Sequence, residues 1–174
     1  MGWAEALIRL GMRYDSNEAI RLANRLMRFI QDESRNASIE LAKKRGNFPN
    51  FNKSIWKKRY KLFRNAAVTT IAPTGTISII AGCSSGIEPL FAVSYIREVL
   101  EGAKLLEVNP EFENIARERN LYSIELMKKI AKVGSIQKIK LPKDIKRLFV
   151  TALDIKPEWH IKMQAAFQKY TDHA

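Results

Sequence analysis

The residues best suited to chemistry lie together in Ala72-Pro73-Thr74-Gly75-Thr76-Ile77-Ser78, a proline–glycine corner between two apolar runs. The run before it, residues 66–72, is short and β-branched and reads as a buried strand. The run after it is read as the start of a helix. The first amides of a helix have no intrahelical acceptor, and the aligned peptide dipoles place partial positive charge there. Gly75 removes the Cβ that would keep an anion off the backbone, and Thr74, Thr76 and Ser78 add hydroxyls. Pro73, Thr74, Gly75, Thr76 and Ile77 thus form a candidate seat for a phosphate or diphosphate, built without a lysine. The string is neither a G-x-x-x-x-G-K-[ST] loop nor a G-x-G-x-x-G turn. The same residues equally fit a capped helix after a core strand, with the threonines serving only as caps.

Other reactive side chains are scattered. Cys83 sits between Gly82 and Ser84, and the two histidines, His160 and His173, are far from it in sequence, so a small buried thiol is the expected role. Glu88 before Pro89 reads as a loop hydrogen-bonding residue, with a catalytic carboxylate as the alternative. His160 opens an amphipathic stretch and suits capping or packing. No set of His, Cys, Asp and Glu has metal-ligand spacing.

Charge is concentrated in one segment. The 174 residues carry a formal charge of +12. Residues 43–64 hold nine lysines and arginines and no acid, so the rest of the chain is close to balanced. Phe48, Phe51, Trp56, Tyr60 and Phe63 are interleaved with those cations, the composition of a single-stranded nucleic-acid platform. The alternative is a solvated loop whose aromatics fold inward. A basic nucleic-acid-binding or regulatory module is therefore carried forward as a second function.

The elements that must position these residues are mostly helical. A short amphipathic helix spans roughly 4–10. A longer one opens after Tyr14-Asp15-Ser16, with Asp15 and Glu18 in the spacing of a capping box, and stops near Gly46. Residues 47–64 read as a basic connector and 65–100 as strand, phosphate loop and strand, with helix an alternative for 91–100. Residues 101–174 read as mainly helical, with Asn109-Pro110, Ser123 and Asp154-Ile155-Lys156-Pro157 as helix starts and Gly134 as a stop. The expected class is α/β with a helical majority. No apolar run approaches the ~20 residues that cross a bilayer, so no membrane association is expected. One cysteine permits no internal disulfide, and a reducing, cytoplasmic setting follows.

Longer strings carry a resemblance. Arg64-Asn65-Ala66-Ala67-Val68-Thr69-Thr70-Ile71-Ala72-Pro73-Thr74-Gly75-Thr76-Ile77-Ser78, followed by Gly82-Cys83-Ser84-Ser85-Gly86-Ile87-Glu88-Pro89, resembles the class II, adenosylcobalamin-dependent ribonucleotide reductases. Met1-Gly2-Trp3-Ala4, Arg45-Gly46-Asn47-Phe48-Pro49, Thr151-Ala152-Leu153-Asp154-Ile155 and Trp159-His160-Ile161-Lys162-Met163 extend the similarity along the whole chain. The resemblance implies a partial segment of the ten-stranded α/β barrel that reduces ribonucleotides to deoxyribonucleotides. It implies that the loop at 73–77 binds the substrate's phosphates, largely through backbone N–H groups. For the complete enzyme it implies adenosylcobalamin as cofactor, with most of the cobalamin site elsewhere in the family's chain.

The family's radical chemistry uses a cysteine in an Asn-Cys-Glu loop and a further redox pair, and this chain has one cysteine in Gly-Cys-Ser-Ser-Gly. The expectation is a later part of the catalytic domain, inactive alone, with no catalytic residue of its own. Its partners are the ribonucleotide and the remaining reductase polypeptide that carries the radical cysteine. A partial barrel leaves open strand edges, so self-association is also expected.

Overall fold

A computed structural model describes residues 1–98, 102 and 104–173. In chain order its elements are α1 (Trp3–Arg9), α2 (Asn17–Arg45), α3 (Gly75–Ala81), β1 (Ser94–Glu98), β2 (Lys104–Val108), α4 (Pro110–Glu118), α5 (Ile124–Ala131), α6 (Lys143–Leu148) and α7 (Pro157–Gln168). Short 3-10 turns occupy Phe51–Lys53, Ile55–Lys58 and Ala152–Asp154. The chain divides into two compact units, Met1–Ile20 with Pro73–Met163 and Arg21–Ala72 with Gln164–Ala174.

The first unit is built on a core of Ile8, Val93, Phe112, Met127, Ile130, Ile136, Ile145 and Phe149. The helices that supply it end where local chemistry ends them. Asn109 Oδ1 accepts the amides of Glu111 and Phe112, and Pro110 occupies the first helical position of α4. Ser123 Oγ accepts Leu126 N–H at the start of α5, and Gly134, at φ +73°, closes the turn beyond it. Phe149 has no exposed surface and meets Phe112 edge-on at 5.2 Å between ring centroids. Phe149→Ala is expected to destabilise this unit by about 3–5 kcal/mol, the usual cost of emptying a buried phenylalanine site. Urea denaturation of the variant beside the parent chain measures it.

The second unit surrounds Phe51, Trp56 and Phe63. Tyr60 stacks on Phe63 at 4.8 Å and 6°, and Trp56 Nε1 donates to the carbonyl of Ala66 at 2.7 Å. Asp172 ties three strands of chain together there. Its carboxylate accepts from Arg35 Nη2 at 2.9 Å and from Val68 N–H at 2.9 Å, and its own amide donates to Thr69 Oγ1 at 3.0 Å.

Several expectations change. Residues 66–72 do not form a buried strand: Thr70 alone bridges, in parallel, to His173, and Ala66, Thr70 and Ala72 are exposed. A ladder needs a neighbour along its length, and propensity for the strand conformation does not supply one. Leu90 makes a similar single parallel bridge to Thr151.

The strand expected over 91–100 is shorter, β1, and its last two positions lie outside the described residues, as does Glu101. It pairs antiparallel with β2, from Ser94 opposite Val108 to Glu98 opposite Lys104. β2 falls in the stretch 101–174 that reads as mainly helical. Its sequence, Lys-Leu-Leu-Glu-Val, has no strong strand pattern, and the pairing partner decides its state. At the start of α2 the cap moves by one residue: Ser16 Oγ accepts Ala19 N–H at 3.1 Å, while Asp15 is engaged by the Arg13 guanidinium. Gly46 ends α2 as expected, at φ +75° with its amide on the carbonyl of Ala42.

Candidate functional site

α3 begins in an unusual way. Its first turn follows Thr74, a non-glycine residue in the left-handed region at φ 53° and ψ 29°, and no side chain caps it. The left-handed conformation costs roughly 1–2 kcal/mol for a residue with a Cβ. The Thr74 hydroxyl does not cap the helix; Oγ1 instead accepts the amide of Gly86 at 2.7 Å. The first amide of α3 with a helical acceptor is that of Ser78, on the carbonyl of Thr74 at 2.9 Å. The amides of Gly75, Thr76 and Ile77 have no acceptor among the described residues, and all three residues are exposed. An added Cβ at Gly75 would meet open space. The reading of these threonines as simple helix caps is therefore not what the geometry contains.

The hydroxyls behave differently from expectation. Ser78 is buried, donates to the carbonyl of Gly75 at 2.8 Å and shares a 2.9 Å hydrogen bond with Ser85 Oγ. Ser78 is committed inside the protein, Thr74 Oγ1 accepts from Gly86 N–H, and Thr76 is exposed. The backbone N–H groups of Gly75, Thr76 and Ile77 are the main donors the corner offers an anion.

Beside α3 lies a cavity of about 320 Å³. Of the five predicted residues only Gly75 lines it, together with Ser78, Cys83 and Ser85 from the same loop system and Glu88, Arg97 and Glu107 facing them. Arg97 Nη2 donates to the Glu107 carboxylate, which leaves the cavity without a free cation among the described residues. Side-chain charge does not make this an anion site, and any phosphate there depends on main-chain dipoles.

The loop after α3 is closely held. Cys83 N–H donates to Ser78 O at 3.0 Å, and Glu88 N–H to Ser85 O at 3.2 Å. Cys83 is half-buried, and no histidine lines the cavity it borders. Gly2, at φ +79°, packs so that an added Cβ would lie 3.6 Å from the Cys83 sulfur. His160 Nε2 meets the carbonyl of Ala152 at 3.1 Å, a packing role. Glu88 is exposed.

Tyr14, 5 % exposed, donates its hydroxyl to Ile87 O at 2.7 Å and fixes the far end of the loop. Burial, with a smaller contribution from the Glu88 charge, pushes its phenol well above the ordinary value near 10. The folded state therefore holds the proton more tightly than the unfolded chain. Its contribution to stability is complete below about pH 10 and is lost as pH rises beyond it. Tyr14→Phe is expected to cost about 1–2 kcal/mol at neutral pH, from the lost hydrogen bond and the unpaired carbonyl. The same variant loses less stability than the parent between pH 9 and pH 11, which thermal melts across that range read out.

Sequence reasoning missed Glu5. It is 7 % exposed, and its carboxylate accepts from the amide and hydroxyl of Ser84 and from Asn109 Nδ2. The only signal was its place on the apolar face of a short helix.

The basic segment does not form a stacking platform. Phe51, Trp56 and Phe63 are buried at 1 %, 7 % and 0 % exposure, and Tyr60 and Phe48 pack against them. The cations Lys53, Lys57, Lys58, Arg59 and Lys61 stay on the surface. No helix among the described residues is long and apolar enough to cross a membrane.

The family model for the ribonucleotide reductase barrel domain matches residues 1–63 and 62–174, and the chain belongs to that family. It is 52% identical over 172 residues to a vitamin B12-dependent ribonucleoside-diphosphate reductase of Thermoplasma acidophilum, covering 99% of this chain and 22% of the relative. A reductase of the same description from Mycobacterium tuberculosis (strain CDC 1551 / Oshkosh) is 49% identical over 175 residues, covering 100% of this chain and 25% of the relative. The class Id ribonucleotide reductase alpha subunit of Actinobacillus ureae superposes with a TM-score of 0.80 at 27% identity, over 99% of this chain and 30% of that one. The chain thus spans about a quarter of the length of the curated relatives it matches, and its fold is a piece of the barrel domain.

Proposed function

We propose that this chain is the substrate-phosphate-binding part of a vitamin B12-dependent ribonucleotide reductase, acting on a ribonucleoside diphosphate. The observation that carries the reading is the family match along the whole chain, with about half of its residues identical to reductases of that description. The free amides of Gly75, Thr76 and Ile77 support the assignment of Pro73, Thr74, Gly75, Thr76 and Ile77 as the phosphate loop. A diphosphate approaching α3 end-on meets three N–H donors and the positive end of the peptide dipoles. Charge-assisted hydrogen bonds of this kind are worth about 1.5–3 kcal/mol each. Gly75 lets the anion come within hydrogen-bonding distance of the main chain.

Adenosylcobalamin supplies radical chemistry to reductases of the class this chain resembles. The residues present here do not suit it. The cavity, about 320 Å³, is at the small end of ligand sites, which run from ~300 to 1,000 Å³, and has room for a sugar phosphate rather than a corrin. No histidine lines it. The cofactor, the thiyl-forming cysteine and the redox pair are assigned to the remaining reductase polypeptide, because one cysteine cannot serve as three. Exposed Ile77, Ile79, Ile80 and Phe91 favour a protein partner, whether that polypeptide or a second copy. The chemistry suits a reducing cytoplasm.

Turnover tests the reading. The complete polypeptide is expected to form deoxyribonucleotide from a ribonucleoside diphosphate only when adenosylcobalamin and a reductant are present. Turnover without the cofactor removes the class assignment.

A further inference from the structure

Glu5 is an expensive residue where it stands. It is 7 % exposed, and no lysine or arginine forms an ion pair with it among the described residues. A buried carboxylate without a cation is retained only when hydrogen bonds satisfy it. Here they do: Ser84 N–H lies 3.0 Å from both carboxylate oxygens, Ser84 Oγ–H donates to Oε2 at 2.6 Å, and Asn109 Nδ2 donates to Oε1 at 3.2 Å. Three of those four contacts go to one residue. The same helix end grips it from the other side, since Gly2 N–H donates to Ser84 O at 2.8 Å.

What lies next to Ser84 gives the clamp a purpose. Ser85 Oγ is bonded to Ser78 Oγ at 2.9 Å, and Gly86 N–H donates to Thr74 Oγ1 at 2.7 Å. The second of these bonds engages the side chain of Thr74, the left-handed residue immediately before α3. Hydrogen bonds therefore link Glu5, through the 84–86 segment, to Thr74 in the proposed phosphate loop. Its far end also reaches α4, because Asn109 caps that helix with Oδ1 while Nδ2 serves Glu5.

We infer that Glu5 is a positioning residue for substrate phosphate: it fixes the 82–86 loop so that the amides of Gly75, Thr76 and Ile77 stay open to the anion. The inference rests on the reading of 73–77 as the phosphate loop. Glu5 does not touch the substrate. Its carboxylate oxygens are satisfied by donors from Ser84 and Asn109, so it acts through the 84–86 loop while lining the same cavity.

The test uses the complete reductase. Glu5→Gln keeps size and removes charge, placing an NH2 against a donor; Ser84→Ala removes the hydroxyl contact alone. KM for a ribonucleoside diphosphate, kcat, and inhibition by inorganic pyrophosphate are measured for each, with melting temperature. Glu5→Gln is expected to raise KM about tenfold, and Ser84→Ala about threefold, with kcat changing much less and pyrophosphate inhibition weakening in parallel. A lowered melting temperature with unchanged KM and pyrophosphate inhibition would mean a purely structural carboxylate and overturns the inference. Gly75→Val is run alongside. If it raises KM while the Glu5 and Ser84 variants do not, the phosphate loop stands and the role of Glu5 falls; if none of the three moves KM, the loop reading itself falls. Should Glu5→Gln fail to fold, the threefold shift in Ser84→Ala decides.

Discussion

Incubated alone with adenosylcobalamin, a dithiol and a ribonucleoside diphosphate, the isolated chain is expected to form no deoxyribonucleotide. The reason is an atom count. Reduction at the ribose needs a thiol that becomes the hydrogen-abstracting radical and two more that deliver electrons, by the chemistry of the family this chain resembles. The chain has a single cysteine, Cys83, held half-buried by its own amide on Ser78 and packed beside Gly2. No histidine lines the adjoining cavity to take its proton. The loss relative to the complete enzyme is therefore total. Measured turnover from the isolated chain above a cofactor-free control would refute the assignment of the radical thiol to another polypeptide.

Replacing Gly75 with valine in the complete reductase is expected to raise KM by about ten- to a hundredfold. The predicted cause is the approach of the anion to the main chain. A Cβ at this position meets nothing within 4 Å of the protein, so the added methyls project into open space, where the proposed function puts the phosphate. The backbone there is not left-handed, and the fold should tolerate the change. Losing one charge-assisted hydrogen bond at about 1.5–3 kcal/mol corresponds to roughly that range, since 1.4 kcal/mol is tenfold. The melting temperature is expected to stay within a few degrees, which separates a binding defect from a folding one. An unchanged KM with unchanged kcat would mean that phosphate is held elsewhere.

The exposed apolar side chains bear on both experiments. Ile80 is 80% exposed and Phe91 82%. Large apolar side chains so placed mark surfaces that other chains cover. The proposed partner polypeptide would restore that cover, so KM of the Gly75 variant is read on the complete enzyme.

What the sequence determined by itself is what short-range chemistry controls. Gly46 and Gly134 stop helices because each must turn left-handed within a few bonds. Asn109-Pro110 and Ser123 start helices because their side chains reach amides two or three residues on. The corner at 73–77 was legible for the same reason, since proline, glycine and the helix that follows are neighbours in the chain. Even the family was readable, because long strings of residues carried it.

Tertiary structure decided the rest. Whether residues 66–72 became a strand depended on a partner, and only Thr70 found a bridge, to His173 more than a hundred positions away. β2 exists because β1 pairs with it. The aromatics among the cations turned inward to build a core, a choice between burial and stacking that composition leaves open.

The partners around α3 were likewise set by tertiary structure: Gly86 N–H donates to Thr74 Oγ1, and Glu5, some eighty residues earlier, accepts from Ser84. A threonine before a helix can cap it or not, and local sequence contains both outcomes. The hydrogen-bond partner that selects between them arrives only when distant segments fold together.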